Sequence, residues 1–272
     1  MSRPWIEFLQ AQRLPWRADD LNGTRPGVET KVLSQDEETG ALSLLLRIPA
    51  GWSLPAGAMA CDEEFLVLEG ALEIGGQSYG PFGYAHWPAG HEAEVRTSAG
   101  GAVVLSFFSG VPAAGPAGPV DETRLMRHVD GFSVTYTGNF HPEFPAGAGR
   151  KLLFVDPYTG DTSWILGTLP MRWAERAEVH PVVEEMYLLA GESHGNRGVM
   201  KPGAYFWRPP NIPHGPYGTM TGNLYFFRTK GGKLVTDYVD GEKGFAWNRP
   251  YDPALPEALK PFAGDVETGA RW

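Results

Sequence analysis

The sequence predicts an all-β chain built from one unit used twice. Three observations carry this. Short apolar runs are punctuated at close intervals by turn residues, with 35 Gly and 24 Pro among 272 residues, a pattern of many short strands joined by tight turns. Helical periodicity is scarce, and its best stretch is a short one around Leu255–Leu259. Finally, residues 39–110 and 159–231 repeat one another. Thr39-Gly40 matches Thr159-Gly160. Trp52 matches Trp173, Glu63 matches Glu184, Gly70 matches Gly191, Pro88 matches Pro209 and Gly110 matches Gly231, each pair 121 positions apart. An offset held over such a length signals a duplicated domain.

Taken in order, residues 1–33 are a lead-in with Trp5, Phe8 and Trp16, expected to pack on the outside of the first domain. Strands are predicted over 41–48, 64–69 and 71–74, with Gly70 and Gly75-Gly76 as turns, and over 84–87 and 102–108. Residues 111–119, Val-Pro-Ala-Ala-Gly-Pro-Ala-Gly-Pro, read as the clearest linker. Residues 121–158 are weakly patterned, with room for extra strands that pair the halves. The second copy repeats the order with strands at 164–169, 185–191, 203–208 and 223–228. The domains are placed at 1–118 and 119–272. Seven or eight short strands per copy suggest a jelly-roll barrel, twice.

Composition narrows the partners. The net charge of −9 opposes binding to nucleic acid or an anionic membrane surface. The single cysteine, Cys61, rules out an intrachain disulfide framework and suits a reducing cytoplasm. The N-terminus lacks an apolar signal core, and no apolar stretch approaches a membrane span.

The two copies differ in chemistry. Where the first has Gly57, Met59, Glu63 and Ala93, the second has Glu178, His180, Glu184 and His214. These residues resemble the two motifs of the cupin superfamily. Glu178-x-His180-x-x-x-Glu184, six residues and Gly191 fill the first; Gly203, five residues and Pro209-x-Asn211-x-x-His214 fill the second. The resemblance covers roughly residues 30–240 and implies a bicupin, two double-stranded β-helix barrels in tandem. The wording around Pro209–Pro216 is similar to the branch of ChrR-like anti-sigma factors and of hydroxyacetophenone or acetylacetone dioxygenases. Two departures matter. Glu178 stands where the first motif has histidine, which changes the ligand field if it binds. Asn211 stands where the second has glycine, a mild change because Asn tolerates left-handed backbone.

The residues also suit a metal on their own terms. Residues two apart on a strand face the same side, so Glu178 and His180 share a face. Glu184 follows a turn, and His214 comes from a separate hairpin. His180, Glu184 and His214 give two imidazoles and one carboxylate, an open-sided set that suits Fe(II). Glu178 as a fourth ligand tilts the set toward harder metals such as Mn, with Ni and Zn also open; otherwise it acts as an outer acceptor or as a general base. Met186 and Leu188, on the face of Glu184, and Tyr205 and Trp207, two apart on one strand, are candidate pocket walls, barrel packing being the alternative. The first copy keeps only Glu63 and is expected to be structural, with His86, His91 and Cys61 as a remote second set.

One divalent metal per chain and a small-molecule substrate are therefore expected. Three functions fit: a non-haem Fe(II)-type dioxygenase acting on an enolisable, diketone-like or phenolic ketone substrate; a redox-neutral isomerase, lyase or hydrolase; and a binding module without turnover. A bicupin resembles a fused dimer and leaves a homodimer open.

Overall fold

The structure, a computed structural model, describes residues 3–138, 147–240, 244–267, 269 and 272. Its chain divides into two compact units, Met1–Arg3 with Pro15–Val134 and Pro4–Leu14 with Thr135–Trp272. Both are antiparallel β structures of jelly-roll type. The only helical elements among the described residues are two short 3-10 turns, Ala11–Arg13 and Glu257–Phe262, the second close to the expected helical stretch. No described helix is long and apolar enough to cross a membrane.

In the first unit the main sheet runs Met126–Asp130, Gly83–Trp87, Glu63–Gly70, Ala102–Phe108, Leu42–Ile48, Glu29–Gln35 and Arg17–Ala18. In the second it runs Ile6–Gln10, Ala204–Arg208, Val183–Gly191, Asn223–Lys230, Thr162–Thr168 and Ala148–Val155. Five strands occur in the same order in both, as the sequence repeat requires. Each main sheet faces smaller sheets across an apolar core. Leu44, Leu46, Phe65, Val67 and Val104 belong to the first core. Phe8, Trp164, Met186, Leu188, Phe206 and Phe227 belong to the second.

The repeat extends to single hydrogen bonds. Asp36 Oδ1 accepts from the amides of Glu38 and Thr39 at 3.0 Å. Asp156 Oδ1 accepts from those of Tyr158 and Thr159 at 2.9 and 3.0 Å. Gly70 and Gly191 both lie at positive φ, where a Cβ would stand 2.1 Å from Gly101 O and 2.0 Å from Gly222 O. Only glycine fits either turn.

Three expectations are corrected. The division falls at Val134/Thr135 rather than at 118/119. Ala114–Gly115, inside the expected linker, pairs with Gly57–Met59, and Met126–Asp130 pairs with Gly83–Trp87. The weakly patterned strands thus extend their own units: Ala148–Val155 pairs with Thr162–Thr168 in the second. Pro and Gly read as linker here because they are also tolerated at sheet edges. The lead-in is split: from Pro15 on it belongs to the first unit, where Trp16 lies under Arg47 and Lys31, but Pro4–Leu14 belongs to the second. Ile6–Gln10 is a wholly buried strand of the second, with Ile6 opposite Trp207 and Leu9 opposite Tyr205. Nothing local in a five-residue apolar run says which sheet edge it will join.

Candidate metal centre

Backbone geometry brings the four sequence candidates together. Glu178 and His214 form an antiparallel bridge; each amide donates to the other's carbonyl, at 2.9 and 3.0 Å. The first unit makes the same bridge between Gly57 and Ala93. The duplicated backbone therefore persists in both units, and only the second carries ligating side chains. Residues directly opposite project to one face, and Glu178 Oε1 lies 3.5 Å from His214 Nε2. His180, two residues on, shares that face, with its ring centroid 4.9 Å from that of His214. Asn211 donates its amide to His180 O at 2.8 Å from left-handed backbone at φ 63°. Gly90 does the same to Met59 O at 2.9 Å and φ 81°, so asparagine performs the glycine's task. Glu184 opens the strand Val183–Gly191, and its carboxylate lies 3.8 Å from His180 Nε2 and 3.6 Å from His214 Nε2.

The tautomers follow from the hydrogen bonds. His180 Nδ1 donates to Val235 O and His214 Nδ1 to Ile212 O, both at 2.9 Å. A carbonyl only accepts, so in each neutral ring the Nε2 lone pair points into the site. His214 Nε2 is buried and makes no hydrogen bond among the described residues. Lone pairs from two imidazoles and two carboxylates thus converge, an arrangement that calls for a positive centre between them. Glu178, His180 and His214 each offer a ligand atom within 4.8 Å of the others. Bonds of about 2.1 Å would set neighbouring ligand atoms roughly 3–3.5 Å apart, so a small inward adjustment suffices for a metal. Burial raises the Glu178 carboxyl; Arg208, and His214 and His180 when their rings carry a proton, more than offset it and lower it.

A second layer stands behind Glu184. Arg208 donates to Glu184 Oε2 through Nη1. Its Nε donates to Glu7 Oε2 at 3.0 Å, and its Nη2 bonds Glu7 Oε1 and the Tyr217 hydroxyl, the latter at 2.8 Å. Glu7, Arg208 and Glu184 are all buried. Glu7 and Glu184 both bond the one Arg208 guanidinium, and Glu178 feels its charge without bonding it, so these three carboxylates outnumber that guanidinium by two. That surplus matches a divalent cation.

The first unit has the opposite balance. Glu63, the counterpart of Glu184, is buried between Arg25 and Arg96. Arg96 makes two bonds to it, at 2.8 Å each. Arg25 also lies 3.9 Å from the sulfur of Met59, the counterpart of His180. Two guanidiniums around one carboxylate leave a surplus positive charge where the second unit has its ligands. Burial raises the Cys61 thiol. Among the described residues, the metal-type cluster that meets the ligand geometry is that of Glu178, His180 and His214.

Glu178, His180 and Glu184 line a cavity together with Trp164, Leu166, Arg172, Arg176, Phe206 and Tyr217. Its volume is about 100 Å³, room for a few waters or a small ligand. The expected pocket walls are not part of it. Met186 and Leu188 lie within the core cluster. Tyr205 and Trp207 occupy the opposite face of their strand from Phe206 and Arg208, and the Tyr205 hydroxyl donates to Glu185 Oε1 at 2.6 Å. The inward positions on that strand are one residue out of step with the expectation. Sequence reasoning missed Arg208, Tyr217, Arg172, Arg176 and Glu7. A signal existed for two: Arg208 replaces Trp87 and Tyr217 replaces Arg96 at the repeat offset.

Comparison with known proteins agrees with this architecture. A search among curated proteins finds no match. A protein named "putative dioxygenase" from Nostoc punctiforme superposes with a TM-score of 0.74 at 19% identity, over 89% of this chain and 88% of that one. Oxalate decarboxylase from Bacillus subtilis superposes with a TM-score of 0.58 at 12% identity, over 86% and 78%. At such identities the likeness is one of fold. The sequence pattern of the ChrR cupin-like domain matches residues 7–108 and 135–232, so it takes in both copies of the repeat, and the chain belongs to the ChrR cupin-like domain family.

Proposed function

We propose that the second unit is a mononuclear metal-dependent enzyme of dioxygenase type, acting on a small enolisable, diketone-like or phenolic ketone substrate. One observation carries the reading: Glu178, His180 and His214 offer ligand atoms within 4.8 Å of one another, the Glu184 carboxylate lies 3.8 and 3.6 Å from the two Nε2 atoms, and Glu178, His180 and Glu184 line a small cavity. A divalent metal held there would serve as a Lewis acid and, as Fe(II), would supply the one-electron chemistry that O₂ requires.

The chain's own residues do the rest. His180, His214 and Glu184 would hold the ion. Glu178, whose Oε1 lies 3.5 Å from His214 Nε2 and which offers a ligand atom within 4.8 Å of those of both histidines, would act as a fourth ligand. A divalent ion would offset the excess of the Glu7, Glu178 and Glu184 carboxylates over the Arg208 guanidinium. Arg172 and Arg176 then leave the cavity positive, which favours a substrate bound as an enolate or other small anion. Trp164, Leu166, Phe206 and Phe227 give the opposite walls an apolar lining that excludes water and strengthens charge interactions inside.

The test is anaerobic reconstitution with Fe(II), then oxygen uptake across a panel of diketones and phenolic ketones. Metal-dependent uptake with at least one is expected, and none with any would refute the reading. The second carboxylate favours one alternative, a redox-neutral enzyme on a harder ion such as Mn; turnover that persists without O₂ and stops with chelator would establish it.

A further inference from the structure

The N-terminal strand reaches the metal centre through a charge relay. Glu7 lies on Ile6–Gln10, far in sequence from the repeat, yet its carboxylate receives Arg208 through both Nε and Nη2. Arg208 in turn holds Glu184 Oε2 through Nη1, the carboxylate that faces both imidazoles. Trp5 Nε1 donates to Glu7 Oε2 at 2.9 Å, and the Tyr217 hydroxyl lies 3.3 Å from Glu7 Oε1. Both Glu7 oxygens are thereby fixed in place.

The strand itself is over-determined. Phe8 adopts φ 58°, a left-handed conformation that non-glycine residues rarely take. It is held there by full burial in the core, by stacking on Tyr217 at 6.4 Å and by the Tyr251 hydroxyl, which donates to Phe8 O at 2.8 Å. Gln10 Nε2 donates to Val199 O at 2.9 Å, and Ala11 N donates to Gly203 O. A strained segment so firmly held is well suited to place one carboxylate within a narrow tolerance.

We infer that Glu7 is a positioning residue for the metal centre: it fixes the Arg208 guanidinium, and through it the orientation of the Glu184 carboxylate and the charge the ion meets. This rests on the ligand set proposed above. Glu7 touches neither ion nor substrate. Without the Glu7 charge, Glu184 would be the one carboxylate bonded to Arg208. The guanidinium would draw that carboxylate away from the imidazoles and add a net positive charge beside the cation.

The experiment uses the full chain and Co(II) as probe, since its visible absorption reports ligand number and geometry. Wild type, Glu7→Gln, Glu7→Asp and His180→Ala are compared for Co(II) affinity by chelator competition, for the Co(II) spectrum, and for thermal stability without metal. Loss of an outer partner of a ligand typically costs 10- to 100-fold in metal affinity. That drop is expected for Glu7→Gln, with a shifted spectrum and an intermediate value for Glu7→Asp. A Glu7→Gln protein with wild-type affinity and spectrum overturns the relay, whatever its metal-free stability. Should Glu7→Gln fail to fold, Glu7→Asp carries the test, and wild-type affinity there overturns the relay equally. Co(II) binding that His180→Ala leaves unchanged overturns the ligand set itself and the relay with it.

Discussion

Acid should weaken the first unit through one carboxylate. Glu63 is buried between Arg25 and Arg96. Burial raises its carboxyl, and the two guanidiniums more than offset this, lowering it from 4.5 to about 2. A carboxylate whose folded value lies below its unfolded one stabilises the fold above the unfolded value and loses that contribution as pH falls toward the folded one. The shift corresponds to about 3 kcal/mol at pH 7, at roughly 1.4 kcal/mol per pH unit. By the same linkage about 2 kcal/mol of it is gone at pH 3. The assay is urea denaturation between pH 7 and 3 on wild type and Glu63→Gln. The variant should be less stable at pH 7 by about 3–5 kcal/mol, because two buried cations lose their partner. Its stability should also fall less steeply with acid, the gap to wild type narrowing by about 2 kcal/mol at pH 3. Parallel pH curves for the two proteins would refute the reasoning, because other carboxylates contribute equally to both.

Three further outcomes follow from the geometry. Protein purified under reducing conditions should carry close to one divalent metal per chain by elemental analysis, and His180→Ala should carry none; two per chain would mean that the first unit binds despite its arginines. Asn211→Gly should keep the metal and stay within about 1 kcal/mol of wild type, since its φ of 63° suits glycine, whereas Asn211→Val should lose ~1–2 kcal/mol by thermal denaturation. Gly191→Ala should cost several kcal/mol or prevent folding of the second unit, seen as lost cooperative unfolding, because the added Cβ meets Gly222 O at 2.0 Å at a backbone angle alanine avoids.

The sequence by itself determined the duplication, the all-β class, and the convergence of Glu178, His180, Glu184 and His214. It could do so because these depend on local signals: turn glycines, strand alternation, and a repeat offset that lets one half serve as reference for the other. Met59, Gly57 and Ala93 marked the loss of ligands in the first unit for the same reason. What local signals do not carry is the pairing of distant segments. Tertiary structure alone placed Ile6–Gln10 at the edge of the second unit's sheet, brought Glu7 against Arg208, and drew Arg25 and Arg96 around Glu63. It also decided which face of Ala204–Arg208 looks inward, where a one-residue error in phase exchanges Tyr205 and Trp207 for Phe206 and Arg208. The candidate ligands could be read because motif spacing specifies them; the buried charges beside them, Glu7 with Arg208 behind Glu184 and Arg25 with Arg96 around Glu63, come from residues that only folding brings together.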